Sequence, residues 1–301
     1  MMAYNAKILA DSISPAGHRL TSFEVTFPRI VLAEVNTHRM LSRNSASSRA
    51  IPVEKRIAAV EADPFVPEQF GKNKKGMQHD EVLDGADAAD ARTMWFNVMN
   101  SAIENGRGMS KLGVHKQLAN RLLEPFSWHT AVITATDWDN FEHLRVNPAA
   151  QGEFQKAAEW MMRLKRESEP HPVNYGDWHT PYVEADEGFN LEVLGEGFPA
   201  NISAARCARV SYLTQDGKRD PKEDLALYDR LIGPGHLSPL EHPARPMTPS
   251  ELDRFRVDRY EWAEGWVRVG TGHYCGNFNG WIQLRKLVPG EHDILGHRGV
   301  T

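Results

Sequence analysis

The alternation Phe23-Glu24-Val25-Thr26-Phe27 is that of a strand with one face buried. Pro28 follows, and the apolar run Ile30, Val31, Leu32 and Ala33 then predicts a short helix leading into a Ser/Arg-rich segment. From 52 to about 87 the chain turns to Pro, Gly and charge, which predicts a long loop. Residues 88–105 carry Met94, Trp95, Val98, Ala102 and Ile103 at helical spacing, with Gly106 as the expected stop. The same spacing returns over 110–124 through Leu112, Leu118, Leu122 and Leu123, so the two segments are expected to pair as core helices. Residues 130–136 are β-branched and strand-like, and 151–166 form an amphipathic helix ended by Pro170 and Pro172. The Gly- and acid-rich stretch 184–199 reads as a linker. Beyond it, Asp220-Pro221 supplies an N-cap and a first-turn proline for a helix through Leu225, Tyr228 and Leu231 that stops near Gly233.

Length and composition narrow the class. With 301 residues, 41% of them hydrophobic, the chain can bury one large core or two smaller ones. A net charge of −5 argues against wholesale binding of nucleic acid or of a membrane surface, and points the arginines at small anions. Two cysteines, Cys207 and Cys275, are too few for a disulfide framework or a thiolate zinc site. The start lacks the apolar core of a signal peptide, and no apolar run is long enough to cross a bilayer. The expectation is a soluble cytoplasmic enzyme that needs no metal.

The richest chemistry lies in 37–49, Thr-His-Arg-Met-Leu-Ser-Arg-Asn-Ser-Ala-Ser-Ser-Arg. Arginine forks and serine hydroxyls in one turn-prone segment suit a phosphate or carboxylate, although a solvated Ser/Arg loop has the same composition. The order His38-Arg39, Ser42, Asn44, Ser47, Arg49 resembles the signature of the flavin-dependent thymidylate synthases, the ThyX family. That signature is usually Arg-His-Arg followed by Ser, Asn-Glu, Ser and Arg. Thr37 stands here for the first Arg, Ser45 for Glu, and Ala50 for the aromatic residue that commonly follows. Arg121 before Leu122-Leu123-Glu124-Pro125 resembles the family's phosphate-binding arginine, and 140–145, Asn-Phe-Glu-His-Leu-Arg, resembles its second signature. The family's Asn-x-Arg flavin contact just before that point is replaced by Asp137-Trp138-Asp139.

Two further motifs stand out of order. Residues 205–212, with Ser211, and 235–242, with His236 and Ser238, resemble stretches the family normally carries before its Arg-rich signature. The order implies a circularly permuted ThyX-like fold: residues 1–185 carry the two signatures, and 186–301 is the permuted part folding with them as one unit. The resemblance implies an α+β class, a mixed or antiparallel sheet with packed helices, and a homotetramer with shared active sites. It also implies FAD, with NADPH and methylenetetrahydrofolate as co-substrates and a pyrimidine deoxynucleotide monophosphate as acceptor. Arg145 would activate the pyrimidine electrostatically. Glu34, Ser45, Ser47, Ser48, Arg49 and Arg121 would hold the nucleotide, and His38, Arg39, Asn140, Ser211, His236 and Ser238 the flavin.

Alternatives remain at this stage. Water in place of hydride would leave a hydroxymethyl group on dUMP or dCMP, and the missing Arg and Glu also fit an inactive nucleotide- or folate-binding protein. His236, Glu241 and His242 offer metal-ligand chemistry without a metal-binding helix pattern. Cys207 invites comparison with the cysteine nucleophile of the folate-only thymidylate synthases, although its Ala/Val-rich setting favours a buried thiol. The aromatics of 277–286 suit either ring stacking or the core.

Overall fold

The computed structural model describes residues 4–76, 81–184, 187, 197–212, 219–263 and 266–291, and the side chains of 257–271 are not among those described. Strand β1 (Asn5–Ile13) turns through Gly17, at φ 83°, into β2 (Arg19–Pro28). A positive φ costs glycine nothing, which keeps the hairpin tight. With β3 (Ser42–Ser45), β4 (Trp128–Ala135) and β5 (His171–Pro172) they form a sheet of order β3-β4-β2-β1-β5. All neighbours are antiparallel except β1 and β5, so the sheet is mixed.

The period-2 pattern sorts its two faces. Phe23, Val25 and Phe27 of β2, with Ala131, Ile133 and Ala135 of β4, form one core with α6 (Gly152–Glu167). That helix buries Phe154, Ala157, Ala158, Met161 and Met162, an i, i+3, i+4, i+7, i+8 stripe. On the opposite face Val132 meets Cys207 and Val210, brought by α7 (Phe198–Arg209). Each fully buried large apolar side chain contributes about 1.5–3 kcal/mol, so the sheet is held from both sides.

The same opposite face carries a buried polar chain. Ser12 Oγ and Ser22 Oγ bond the two ring nitrogens of His179 at 2.8 Å each, Ser22 meets Thr134 Oγ1 at 2.6 Å, and Thr134 meets His242 Nδ1 at 2.8 Å. All five residues are buried. Sheet hydroxyls that would otherwise lie unsatisfied thus find partners in two later histidines.

Several elements differ from the sequence reading. Inside the expected loop lies α2 (Val53–Ala62), which buries Val53, Arg56, Ile57 and Val60. The next helix, α3 (Gly85–Lys111), runs through Gly106, which is buried facing Ile57 and Leu123; the chain turns only at Gly113, φ 77°. The expected second core helix is instead a short α4 (Lys116–Ala119) and a 3-10 turn, Asn120–Phe126, that contains Pro125. Leu112, Leu118 and Leu122 are exposed, as are Met94 and Val98 of α3, so the expected pair of core helices is corrected: the segment packs with α3 through Leu123, in one cluster with Met99 and Ile103. Most of the proposed linker lies outside the described residues, and Pro199 belongs to the first turn of α7. As expected, Asp220 caps α8 (Pro221–Ile232), accepting from the Lys222 and Glu223 amides. Trp281 and Phe278 are fully buried core residues. Among the described residues, no helix is long and apolar enough to cross a membrane.

Candidate active site

The Ser/Arg segment begins where α1 (Leu32–Thr37) ends and continues along the edge strand β3. Arg43 Nη1 donates to the carbonyls of His38, at 2.6 Å, and Val35, at 3.2 Å, which fixes the turn between the two elements. His38 is buried, edge-on to Phe141 at 5.1 Å and to Phe154 at 6.2 Å between centroids. Arg145, the last residue of α5 (Asp139–Arg145), donates from Nε to His38 Nε2 at 2.7 Å and from Nη2 to Thr37 Oγ1 at 3.2 Å. Its guanidinium carbon lies 4.9 Å from the Phe154 ring centroid, within cation–π range.

Burial first, then the charges of Arg145 and Arg43, hold the His38 imidazole down to about 4, so at neutral pH it is an uncharged acceptor. The two signatures, over a hundred residues apart, therefore meet in one hydrogen bond. Thr37, standing where the family usually has arginine, serves as a second acceptor for Arg145.

The later motifs reach the same edge strand. Ser47 N donates to the Ser211 carbonyl at 3.0 Å, and Asn44 Nδ2 to that of Cys207 at 2.8 Å. Ser238 Oγ approaches Asn44 Oδ1 at 3.5 Å. Ser42 is buried under Gln283 and Asn277, whose amides donate to its Oγ at 2.9 and 3.3 Å. Ser48 and Arg121 meet on one oxygen of Glu124. Ser45 and Ser47 are half-buried, as is Glu34, one of whose carboxylate oxygens is buried without a partner. Arg39, Arg49, Asn140 and His236 are exposed. His242, by contrast, lies fully buried on Thr134. Cys207 is fully buried, and that burial pushes its thiol upward, away from a reactive thiolate.

Residues that the sequence reading missed are Phe154, which carries Arg145, the buried Arg56, and the half-buried Arg29 and Glu124. A basic residue inside the apolar row Val53, Ile57, Val60 was the one available signal for Arg56.

Residues 5–171, more than half of the chain, match the family profile described as Thy1, thymidylate synthase complementing protein, and the chain belongs to that family. The resemblance read from the motifs and the expected α+β class are borne out; the motifs at 205–212 and 235–242 lie beyond the matched segment. No curated protein matches the sequence. Among solved structures, the chain is similar to the UMP/dUMP methylase PolB from Streptomyces cacaoi at 17% identity. In its complex with 5-Br dUMP the match covers 50% of this chain and 67% of that one at a TM-score of 0.40. In its complex with 5-Br UMP it covers 56% and 90% at 0.45.

Proposed function

We propose that this protein is a flavin-dependent thymidylate synthase, moving a one-carbon unit from methylenetetrahydrofolate to C5 of dUMP and yielding dTMP, with NADPH as reductant. The observation that carries the reading is Arg145 fixed at one end by an uncharged His38 and lying over Phe154. Held this way, the guanidinium keeps its direction. Beside a uracil ring it stabilises the negative charge that builds as C5 becomes nucleophilic, without covalent attack by the protein. Arg49, Arg121, Ser47 and Ser48 would take the phosphate and sugar, where guanidinium forks and hydroxyls match oxyanions. Ser45 and Glu34 would lie on the nucleotide side as well.

The donor set fits a flavin: the Arg39 guanidinium for the pyrophosphate, with the Asn140 amide, the His236 ring and the Ser238 hydroxyl, are all exposed and available. His38 and Ser211 support that side from within. When bound, the flavin supplies the hydride that completes the methyl group, which no side chain can provide. Support for the permuted arrangement comes from Ser211, Cys207 and Ser238 lying against the edge strand of the Ser/Arg segment. Support for a homotetramer with shared sites comes from exposed apolar side chains, Met94 and Val98 on α3 and Leu112, Leu118 and Leu122 close to Arg121 in sequence.

The test is the product mass from purified protein incubated with methylenetetrahydrofolate, NADPH and either dUMP or dCMP, together with the visible spectrum. A flavin spectrum that shifts on addition of dUMP and a methylated product are expected. A hydroxymethylated product would favour the alternative tied to Thr37, Ser45 and Ala50. A colourless protein that makes neither product would overturn the reading.

A further inference from the structure

Beneath the proposed phosphate residues lies a set of charges that the reaction above does not use. Glu124 follows Arg121 by three residues in the 3-10 turn, so the two side chains share a face. Its Oε1 accepts from Arg121 Nη1 at 2.8 Å, from Ser48 Oγ at 2.5 Å and from Arg29 Nη2 at 2.8 Å. Arg29 also bonds His129 Nδ1 through Nη1, at 2.8 Å. Behind them is Arg56 on α2, only 4% exposed, whose Nε and Nη2 are buried without a partner; Arg29 Nε and His129 Nε2 are in the same condition. The charges that act on Arg56 are those of Arg29 and Glu124.

The arrangement is unbalanced. The Glu124 carboxylate pairs with the largely buried Arg29 and the half-exposed Arg121, while two donors of the buried Arg56 have no partner. Buried cations with unmade hydrogen bonds are costly and are normally paired. Where Arg121 and Ser48 take the phosphate, the Glu124 carboxylate already holds both of those donors, and two anions on the same donors repel each other.

We propose that Glu124 is a phosphate surrogate: its carboxylate fills the anion position between Arg121 and Ser48, and an arriving nucleotide monophosphate displaces it onto the unpartnered donors of Arg56. This rests on the assignment of Arg121 and Ser48 to the nucleotide phosphate. After the exchange the carboxylate reaches the Nε and Nη2 donors of Arg56 that otherwise have no partner, while the phosphate takes its place on Arg121 and Ser48, which gives those donors a purpose. Because only an anion can drive the exchange, the device selects a nucleotide over its nucleoside. Glu124 and Arg56 are positioning residues here, since they act through Arg121 and Ser48.

The test is calorimetric titration of the full-length protein with dUMP and with deoxyuridine, for wild type, Glu124→Gln, Arg56→Met and Arg56→Lys, with thermal melts to establish folding. Glu124→Gln keeps an acceptor but removes the competing charge, so the dUMP Kd should fall about tenfold. Arg56→Met removes the landing place and should raise it about tenfold, with Arg56→Lys in between. Deoxyuridine affinity should not move. Glu124→Gln binding dUMP no better than wild type, or deoxyuridine shifting in parallel with dUMP, would overturn the proposal. Should Glu124→Gln fail to fold, the Arg56 variants decide: a loss confined to dUMP supports the exchange, and unchanged affinity overturns it. A wild type that binds no dUMP would instead bring down the nucleotide reading itself, a result distinct from dUMP binding that is indifferent to Glu124.

Discussion

Acid should unfold this protein through the His179–Ser12/Ser22–Thr134–His242 chain. Burial holds His179 down to about 3, and burial with the nearby His179 does the same to His242, against an ordinary value of 6.5. Folded pKa values below the unfolded ones mean that the unfolded chain binds more protons between the two. Stability from these rings is therefore complete above about pH 6.5 and falls steadily as pH drops toward about 3. At about pH 5 the gap amounts to roughly 1.5 pH units per ring, or about 2 kcal/mol each and about 4 kcal/mol for both. A typical domain has only about 5–15 kcal/mol in total. Urea unfolding at about pH 7.5 and about pH 5 measures the difference directly, and most carboxylates stay ionised over that range. Burial lowers His129 to about 3 and His38 to about 4 as well, so four rings share the effect, and replacing His242 by Asn, which keeps a polar atom for Thr134 but removes one ring, should reduce it by about a quarter. A wild type that loses less than about 1 kcal/mol, or an Asn variant with the wild-type pH dependence, would refute the reasoning.

Other expectations concern the proposed site. Arg145→Ala should lower kcat about 10²- to 10³-fold with a smaller change in KM, measured by steady-state turnover of dUMP. Arg121→Ala should mainly raise the KM for dUMP, by about tenfold, because it loses a ground-state phosphate contact. Cys207→Ala should keep turnover close to wild type; a collapse in kcat with an unchanged melt would reinstate a cysteine nucleophile.

Much of the fold could be read from periodicity. β2, β4, α6 and α8 have clean patterns and local stop signals such as Asp220-Pro221, so tertiary packing only had to agree with them. Between 52 and 126 local signals misled. α2 hides four buried positions among charges, and one of those is Arg56 itself. Gly106 looked like a terminator, yet α3 passes through it because its backbone stays helical and its bare face lies toward Ile57 and Leu123. The motif residues were legible as types at fixed spacing, but their partners were not. That Arg145 rests on His38, or that one oxygen of Glu124 gathers Arg29, Ser48 and Arg121, depends on long-range contacts that no short window carries. The same holds for His179 and His242, which match no motif as a pair and become intelligible only as caps for hydroxyls on a distant sheet.

The contact between His38 and Arg145 limits where protons can move. A ring that accepts at Nε2 carries its single hydrogen on Nδ1, so it has none to release toward the guanidinium side. Histidine is the usual shuttle near neutrality, and here that role is closed at the one imidazole of the signature. Any inflection near pH 6–7 in the rate of the proposed reaction must then arise from the reactants or from another group. What this imidazole contributes is aim: it sets the direction of a permanent positive charge and leaves acid–base traffic to others.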